Sequence, residues 1–138
     1  MNDCVFCRII KGEIPCYKVY EDDSFLAFLD IYPVNQGHVL VIPKKHIRWV
    51  WDSENIGDYY KAVQKIANAQ KKAFDTDFVV SIVIGEEVPH AHVWLIPSIE
   101  GDGHGSAFKM ITNIGSKKKF SEEEMKEFQK KIVDALKE

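Results

Sequence analysis

Phe25-Leu26-Ala27-Phe28-Leu29, Pro33-Val34-Asn35-Gln36-Gly37 and His38-Val39-Leu40-Val41-Ile42-Pro43 follow one another closely in the chain. The first segment is a short unbroken apolar run and reads as a strand. The second is turn chemistry. The third is β-branched, stops at a proline and reads as a second strand. Two strands joined by a turn, with no helix between them, point to antiparallel pairing.

Working outward, Phe78 to Ile84 and Ala91 to Ile96 read as two more strands. Between Ile56 and Phe74, apolar residues fall at Ile56, Tyr59, Tyr60, Val63, Ile66, Ala67, Ala73 and Phe74. That is helical spacing with one wet face. Near the C-terminus, Ser121 and Glu124 form a capping box, and Phe120 and Met125 stand where a hydrophobic staple would. Met125, Phe128, Ile132 and Leu136 supply the buried stripe of a helix predicted over 121–137. Strands that are mostly neighbours argue for an antiparallel sheet with helices on one side, an α+β fold.

The 138 residues suffice for one domain with its own core, and no repeat, low-complexity tract or long linker divides them. Hydrophobic residues make up 46% and charged residues 28%, an ordinary globular balance. A net charge of −3 gives no support to nucleic-acid binding by bulk charge. The apolar runs are far too short to span a bilayer. Met1-Asn2-Asp3 leads straight into Cys4-Val5-Phe6-Cys7, without a basic segment or long apolar stretch, so a cytoplasmic protein is expected. Three cysteines is an odd count, which suits reduced thiols or a metal better than a disulfide framework.

Chemistry concentrates at two places. Cys4 and Cys7 form a C-x-x-C pair, and His38, His46, His90 and His92 offer enough imidazoles to complete a Cys2His2 zinc site. The spacing is not that of a zinc finger, and free or redox-active thiols are the alternative. A thioredoxin-like reading lacks the βαβ context. In Pro89-His90-Ala91-His92-Val93-Trp94-Leu95-Ile96-Pro97, the histidines stand at i and i+2. On a strand they would share a face, roughly 7 Å apart. Three readings stay open: both are satisfied half-buried histidines, both are ligands of a catalytic zinc, or one is a nucleophile or general base. Trp94, next on that face, can serve in none of these roles.

Other features are bland. Gly101-Asp102-Gly103-His104-Gly105 is not a P-loop, which needs a Lys-Ser/Thr pair entering a helix, and reads as a mobile surface loop. Lys117-Lys118-Lys119 reads as a solvated run, and Trp49 and Trp51 as packing at a domain or dimer surface.

Several segments in order resemble the histidine triad (HIT) family of nucleotide hydrolases and transferases. They are Cys4 to Pro15, Val19 to Asp22, Leu26 to Ile31, Gly37 to His46 and His90 to Pro97, together spanning roughly residues 4 to 97. The resemblance implies an α+β fold with a five-stranded antiparallel sheet, in a homodimer whose sheets run into one another. It implies purine nucleotide substrates with a leaving group on the α-phosphate, such as phosphoramidates, dinucleoside polyphosphates or adenylated amino groups. By position His92 would be the nucleophile, forming a nucleotidyl-histidine that water then cleaves. Phe6, Ile9, Phe28, Ile31 and Leu40 match the apolar pocket for the base. Asp30 matches the carboxylate that binds the ribose hydroxyls. His38 matches a histidine near the active site that would support protonation or orientation. Cys4, Cys7, His46 and His90 match the structural zinc ligands of many bacterial members. No Mg2+ requirement is expected.

The chain departs from that pattern twice. Trp94 stands where the third triad histidine is expected, and indole can donate one hydrogen bond but cannot shuttle a proton. The preceding loop is only Gly85-Glu86-Glu87-Val88-Pro89, without the Asn and Gln/Ser donors of many members, and it carries two carboxylates that would repel a phosphate they faced. A slow enzyme is therefore expected. The rivals are a nucleotide-binding protein with little catalysis, and a zinc-dependent hydrolase with His90 and His92 both on the metal.

Overall fold

A computed structural model of the chain describes residues 3–103 and 107–138. The Phe25-to-Pro43 region folds into the expected hairpin, strands β2 (Phe25–Leu29) and β3 (Val39–Pro43), paired antiparallel from Phe25 opposite Pro43 to Leu29 opposite Val39. The hairpin closes through Asp30 N–H donating to the His38 carbonyl at 2.9 Å. Gly37 makes the return possible. Its φ is +75°, and a Cβ there would lie 2.3 Å from the Phe74 ring.

The full sheet has five antiparallel strands in the order β1-β2-β3-β5-β4, with β1 at Lys18–Glu21, β4 at Phe78–Ile82 and β5 at Val93–Ser98. Reading the residues alone yields four strands and misses β1. That edge strand carries Lys18 and Glu21, and its register slips between Lys18 and Tyr20, so it has no clean alternation. The observed β4 stops at Ile82 rather than Ile84. The observed β5 starts at Val93 rather than Ala91, so His90 and His92 lie in the segment entering the strand.

Why the central strands read as unbroken apolar runs is plain from their neighbours. Phe25, Ala27, Leu29, Val39, Val41, Val93 and Leu95 face one core. Leu26, Phe28, Leu40 and Ile42 face another. The first core lies under α2 (Ile56–Ala73) and α4 (Glu122–Leu136). α2 buries Tyr59, Ala62, Val63, Ile66, Ala69 and Gln70. Its buried polar groups bond the sheet: Tyr59 Oη donates to the Val41 carbonyl at 2.7 Å, and Gln70 Nε2 to those of Gly37 and Leu95 at 2.8 and 3.1 Å. The capping box of α4 forms as expected, with Glu124 N–H donating to Ser121 Oγ at 3.1 Å and Ser121 N–H to Glu124 Oε1 at 2.9 Å. Met125, Phe128 and Ile132 are buried, but Ala135 rather than Leu136 completes the stripe.

The expectation of helices on one side needs correction. The two long helices share a face, but the short α1 (Val5–Ile10) and α3 (Ala107–Thr112) pack on the other. α1 buries Phe6 against Leu26, Phe28, Leu40 and Ile42; Met110 of α3 packs with Val34 and Ile96. Both faces of the sheet are apolar, so both need cover. Among the described residues no helix is long and apolar enough to cross a membrane.

Candidate functional site

The second face of the sheet carries the site. Cys4 caps α1 and Cys7 sits in its first turn, so the i, i+3 spacing turns both sulfurs the same way. Cys7 N–H donates to Cys4 Sγ at 3.4 Å. His46 lies just past the end of β3, and Ala91 N–H donates to the Ile47 carbonyl at 2.8 Å, which ties the His46 segment to the His90 segment.

Four ligand atoms converge there, all within 4.8 Å of one another: the sulfurs of Cys4 and Cys7 and one ring nitrogen each of His46 and His90. His90 Nδ1 lies 3.3 Å from Cys4 Sγ, 3.5 Å from Cys7 Sγ and 3.2 Å from His46 Nδ1, and Cys7 Sγ lies 3.2 Å from His46 Nδ1. A tetrahedral zinc with bonds of about 2.3 Å to sulfur and 2.0–2.1 Å to nitrogen has edges of about 3.3–3.8 Å. The donor set suits zinc in its chemistry, and the separations of 3.2–3.5 Å lie close to those edges. His90 is fully buried, and burial holds its pKa below the ordinary value. Its Nε2 lies 2.8 Å from the Pro43 carbonyl, which can only accept, so the proton sits on Nε2 and Nδ1 presents a lone pair.

His92 is elsewhere. Its Nδ1 lies 2.8 Å from the carbonyl of His90, so Nδ1 carries the proton and Nε2 is left with a lone pair. The ring stands edge-on to Phe6, centroids 5.2 Å apart, and lines a slot of about 450 Å³. The reading in which His90 and His92 bind one metal is thereby corrected: the converging ligands do not include His92, whose ring is turned onto the main chain of His90 instead.

The register builds the floor of that slot. Phe28 lies opposite Leu40, Leu40 opposite Trp94, and Trp94 opposite Ile82, so one row of side chains crosses the sheet. Phe6 meets Phe28 edge-on at 5.7 Å. Of the residues matched to base and ribose binding, Phe6, Ile9, Phe28, Asp30, Ile31 and Leu40 all line the slot, with Ile31, 63% exposed, at its rim. A volume in the 300–1,000 Å³ range, apolar walls and a few polar groups make a small-molecule site. A cleft of equal volume between Asp22, Asp58 and Lys65 has no histidine or cysteine on its walls.

Asp30 takes the Tyr32 N–H on Oδ1 at 2.8 Å, and its other oxygen lies 3.6 Å from His38 Nε2. Burial raises the Asp30 pKa, opposed by the Tyr32 N–H and the charge of Lys117. His38 does not line the slot. It is buried behind it, 5.0 Å from the Trp94 ring, and accepts Val34 N–H on Nδ1 at 3.1 Å. Burial pushes its pKa down to about 3, and the bond at Nδ1 opposes protonation as well. His38 therefore packs behind Asp30 and Trp94, and its ring stays neutral near neutral pH.

Three features of the structure go beyond the reading of the sequence. Lys117, taken as part of a solvated run, lines the slot with its Nζ 4.8 Å from the centre of the Trp94 ring. Glu87 lines the slot too. Asn35 is fully buried, donating to the Pro97 carbonyl at 3.0 Å and to Asp102 Oδ2 at 2.8 Å. Asp102 is thus tied down, whereas His104 and Gly105 of the expected loop lie outside the described residues. Trp49 and Trp51 are exposed and border a second, smaller cleft, which reaches His92.

An α+β sheet bearing an apolar slot, a free imidazole nitrogen and a Cys2His2 cluster defines a class of small-molecule-binding protein. The sequence profile of the HIT domain matches residues 11–101, and the chain belongs to the HIT family. An uncharacterized HIT-like protein of Methanocaldococcus jannaschii is 44% identical over 117 residues, covering 80% of this chain and 91% of that one. An adenylylsulfatase of Arabidopsis thaliana is 40% identical over 108 residues, covering 73% of this chain and 55% of that one. Among solved structures, a hypothetical histidine triad nucleotide-binding protein of Sulfolobus tokodaii superposes with a TM-score of 0.83 at 34% identity, covering 97% and 92% of the two chains. A Zn-bound histidine triad family protein of Mycobacterium smegmatis has a TM-score of 0.76 at 29% identity, covering 99% and 94%.

Proposed function

We propose that the chain is a nucleotide hydrolase or nucleotidyl transferase acting at the α-phosphate of purine nucleotide conjugates, phosphoramidates or dinucleoside polyphosphates, through a nucleotidyl-His92 intermediate. The observation that carries this reading is the free Nε2 of His92 on the wall of an apolar slot that also holds Asp30. The base lies between Phe6, Ile9, Phe28, Ile31 and Leu40, and Asp30 takes the ribose hydroxyls. The Nε2 lone pair forms a bond to the α-phosphorus as the bond to the leaving group breaks, and the leaving group departs with that electron pair and takes up a proton from water. Water then attacks phosphorus, breaks the N–P bond and releases the nucleoside monophosphate with His92 restored. That an Arabidopsis relative is named an adenylylsulfatase supports an adenylyl conjugate as the substrate class.

Zinc on Cys4, Cys7, His46 and His90 supplies a structural crosslink between α1, the end of β3 and the start of β5. His90 then braces the main chain whose carbonyl orients His92. The homodimer reading draws on β4, an edge strand open to pairing that carries Phe78, which is 67% exposed.

Brief incubation with adenosine phosphoramidate, followed by mass spectrometry, should yield an adenylylated His92 peptide, and His92→Ala should abolish turnover. Unchanged turnover in that variant would remove His92 from the role. A binding protein with little catalysis is the second reading, favoured by Glu87 on the slot wall and by Trp94 in place of a third histidine. It predicts nucleotide binding without turnover, unaltered by Trp94→His.

A further inference from the structure

We infer that Lys117, seated on the indole face of Trp94, is the cationic residue that contacts the phosphate of the bound nucleotide. The inference rests on the proposed nucleotide reading of the slot. Among the described residues lining the slot, Lys117 is the sole Lys or Arg, while Asp30 and Glu87 are both carboxylates. An entering phosphate therefore meets two like charges, and one ammonium is available to offset them. Trp94 fits this arrangement. Its indole cannot relay a proton, but its face holds a cation, and Lys117 Nζ stands 4.8 Å from its centre.

The root of Lys117 is anchored, which a solvated run would not require. Its neighbour Lys118 donates its backbone N–H to the Pro33 carbonyl at 2.8 Å. Lys118 Nζ donates to Asn35 Oδ1 at 2.9 Å and to the Asp102 carbonyl at 2.6 Å. Asn35 is itself fully buried and bonded to β5 through the Pro97 carbonyl. Lys118 is thus a positioning residue, and the segment delivers Lys117 to the same side of the sheet as His92. Positions 94 and 117 act as a pair: the strand provides the platform and the C-terminal segment provides the charge. Lys117 acts as a fixed charge, with no proton transfer.

The test uses the full chain, with AMP and adenosine titrated separately. Lys117→Met should weaken AMP binding roughly tenfold or more while leaving adenosine binding unchanged, because only AMP carries the charge. Lys117→Arg should keep AMP affinity, and Lys119→Met, on an exposed neighbour, should not move it. The dependence of AMP affinity on ionic strength should flatten in Lys117→Met. Lys118→Ala should reproduce part of the loss, and adding it to Lys117→Met should lower AMP affinity no further. Adenosine binding with an unchanged AMP-to-adenosine ratio in Lys117→Met would overturn the assignment and leave the nucleotide reading intact, as would an Arg variant as weak as the Met variant. Failure of the unsubstituted chain to bind adenosine or AMP would overturn both.

Discussion

His38 should make this protein acid-sensitive by a calculable amount. The folded state keeps its imidazole neutral down to about pH 3, because the ring is buried and Nδ1 is occupied by Val34 N–H. An unfolded chain protonates the same histidine near pH 6.5. Below that value the unfolded state binds more protons, so stability is fully present above pH 6.5 and declines as pH falls towards about 3. The slope approaches about 1.4 kcal/mol per pH unit below pH 6.5, so roughly 2 kcal/mol is lost between pH 6.5 and 4.5. Urea unfolding at several pH values in that window, on the unsubstituted chain and on His38→Asn, isolates the effect as a difference of slopes. His38→Asn should lose stability near neutral pH, yet fall less steeply with acid by about one proton. Parallel slopes would refute the reasoning. They would mean that the Asp30 carboxylate, 3.6 Å from Nε2, outweighs burial and keeps His38 protonated in the folded state.

Other expectations follow from single contacts. Gly37→Ala should cost about 1–3 kcal/mol, since its φ of +75° and the Phe74 ring both resist a Cβ; an unshifted urea midpoint would show that the hairpin yields. Ser121→Ala removes the side-chain half of the α4 cap and should cost about 1 kcal/mol, measured by thermal or urea unfolding. Cys7→Ser should abolish stoichiometric zinc in the purified protein, and retention of one zinc per chain would count against the Cys4–Cys7–His46–His90 set. Asp30→Ala should weaken AMP by roughly 10-fold or more relative to 2′,3′-dideoxy-AMP, and an unchanged ratio of the two affinities would remove Asp30 from ribose binding.

Much of the fold is legible in the sequence because local rules and tertiary demand agree. The runs at Phe25 to Leu29 and Val39 to Ile42 are apolar at every position because both faces of the sheet are covered, and the α4 capping box is a contact between near neighbours. Edge strand β1 disagrees with its local pattern, since solvent on one side tolerates Lys18 and Glu21.

The site divides along the same line. Cys4 and Cys7 can be paired from their spacing, because one helical turn brings them together. That His90 belongs with them and His92 does not cannot be read from an i, i+2 pattern. A main-chain bond from Ala91 to Ile47 draws His90 to His46, and a bond from its own ring to the His90 carbonyl turns His92 towards the slot. Lys117 is still further from legibility. Nothing in a lysine run distinguishes one member, and only the buried Asn35 and the anchored Lys118 bring one ammonium onto Trp94. Four of the five strands, the buried faces of the long helices and the inventory of reactive side chains are legible along the chain, because these depend on residues a few positions apart. Which of those side chains meet was indicated beforehand only by the family resemblance, because it depends on hydrogen bonds between segments distant along the chain.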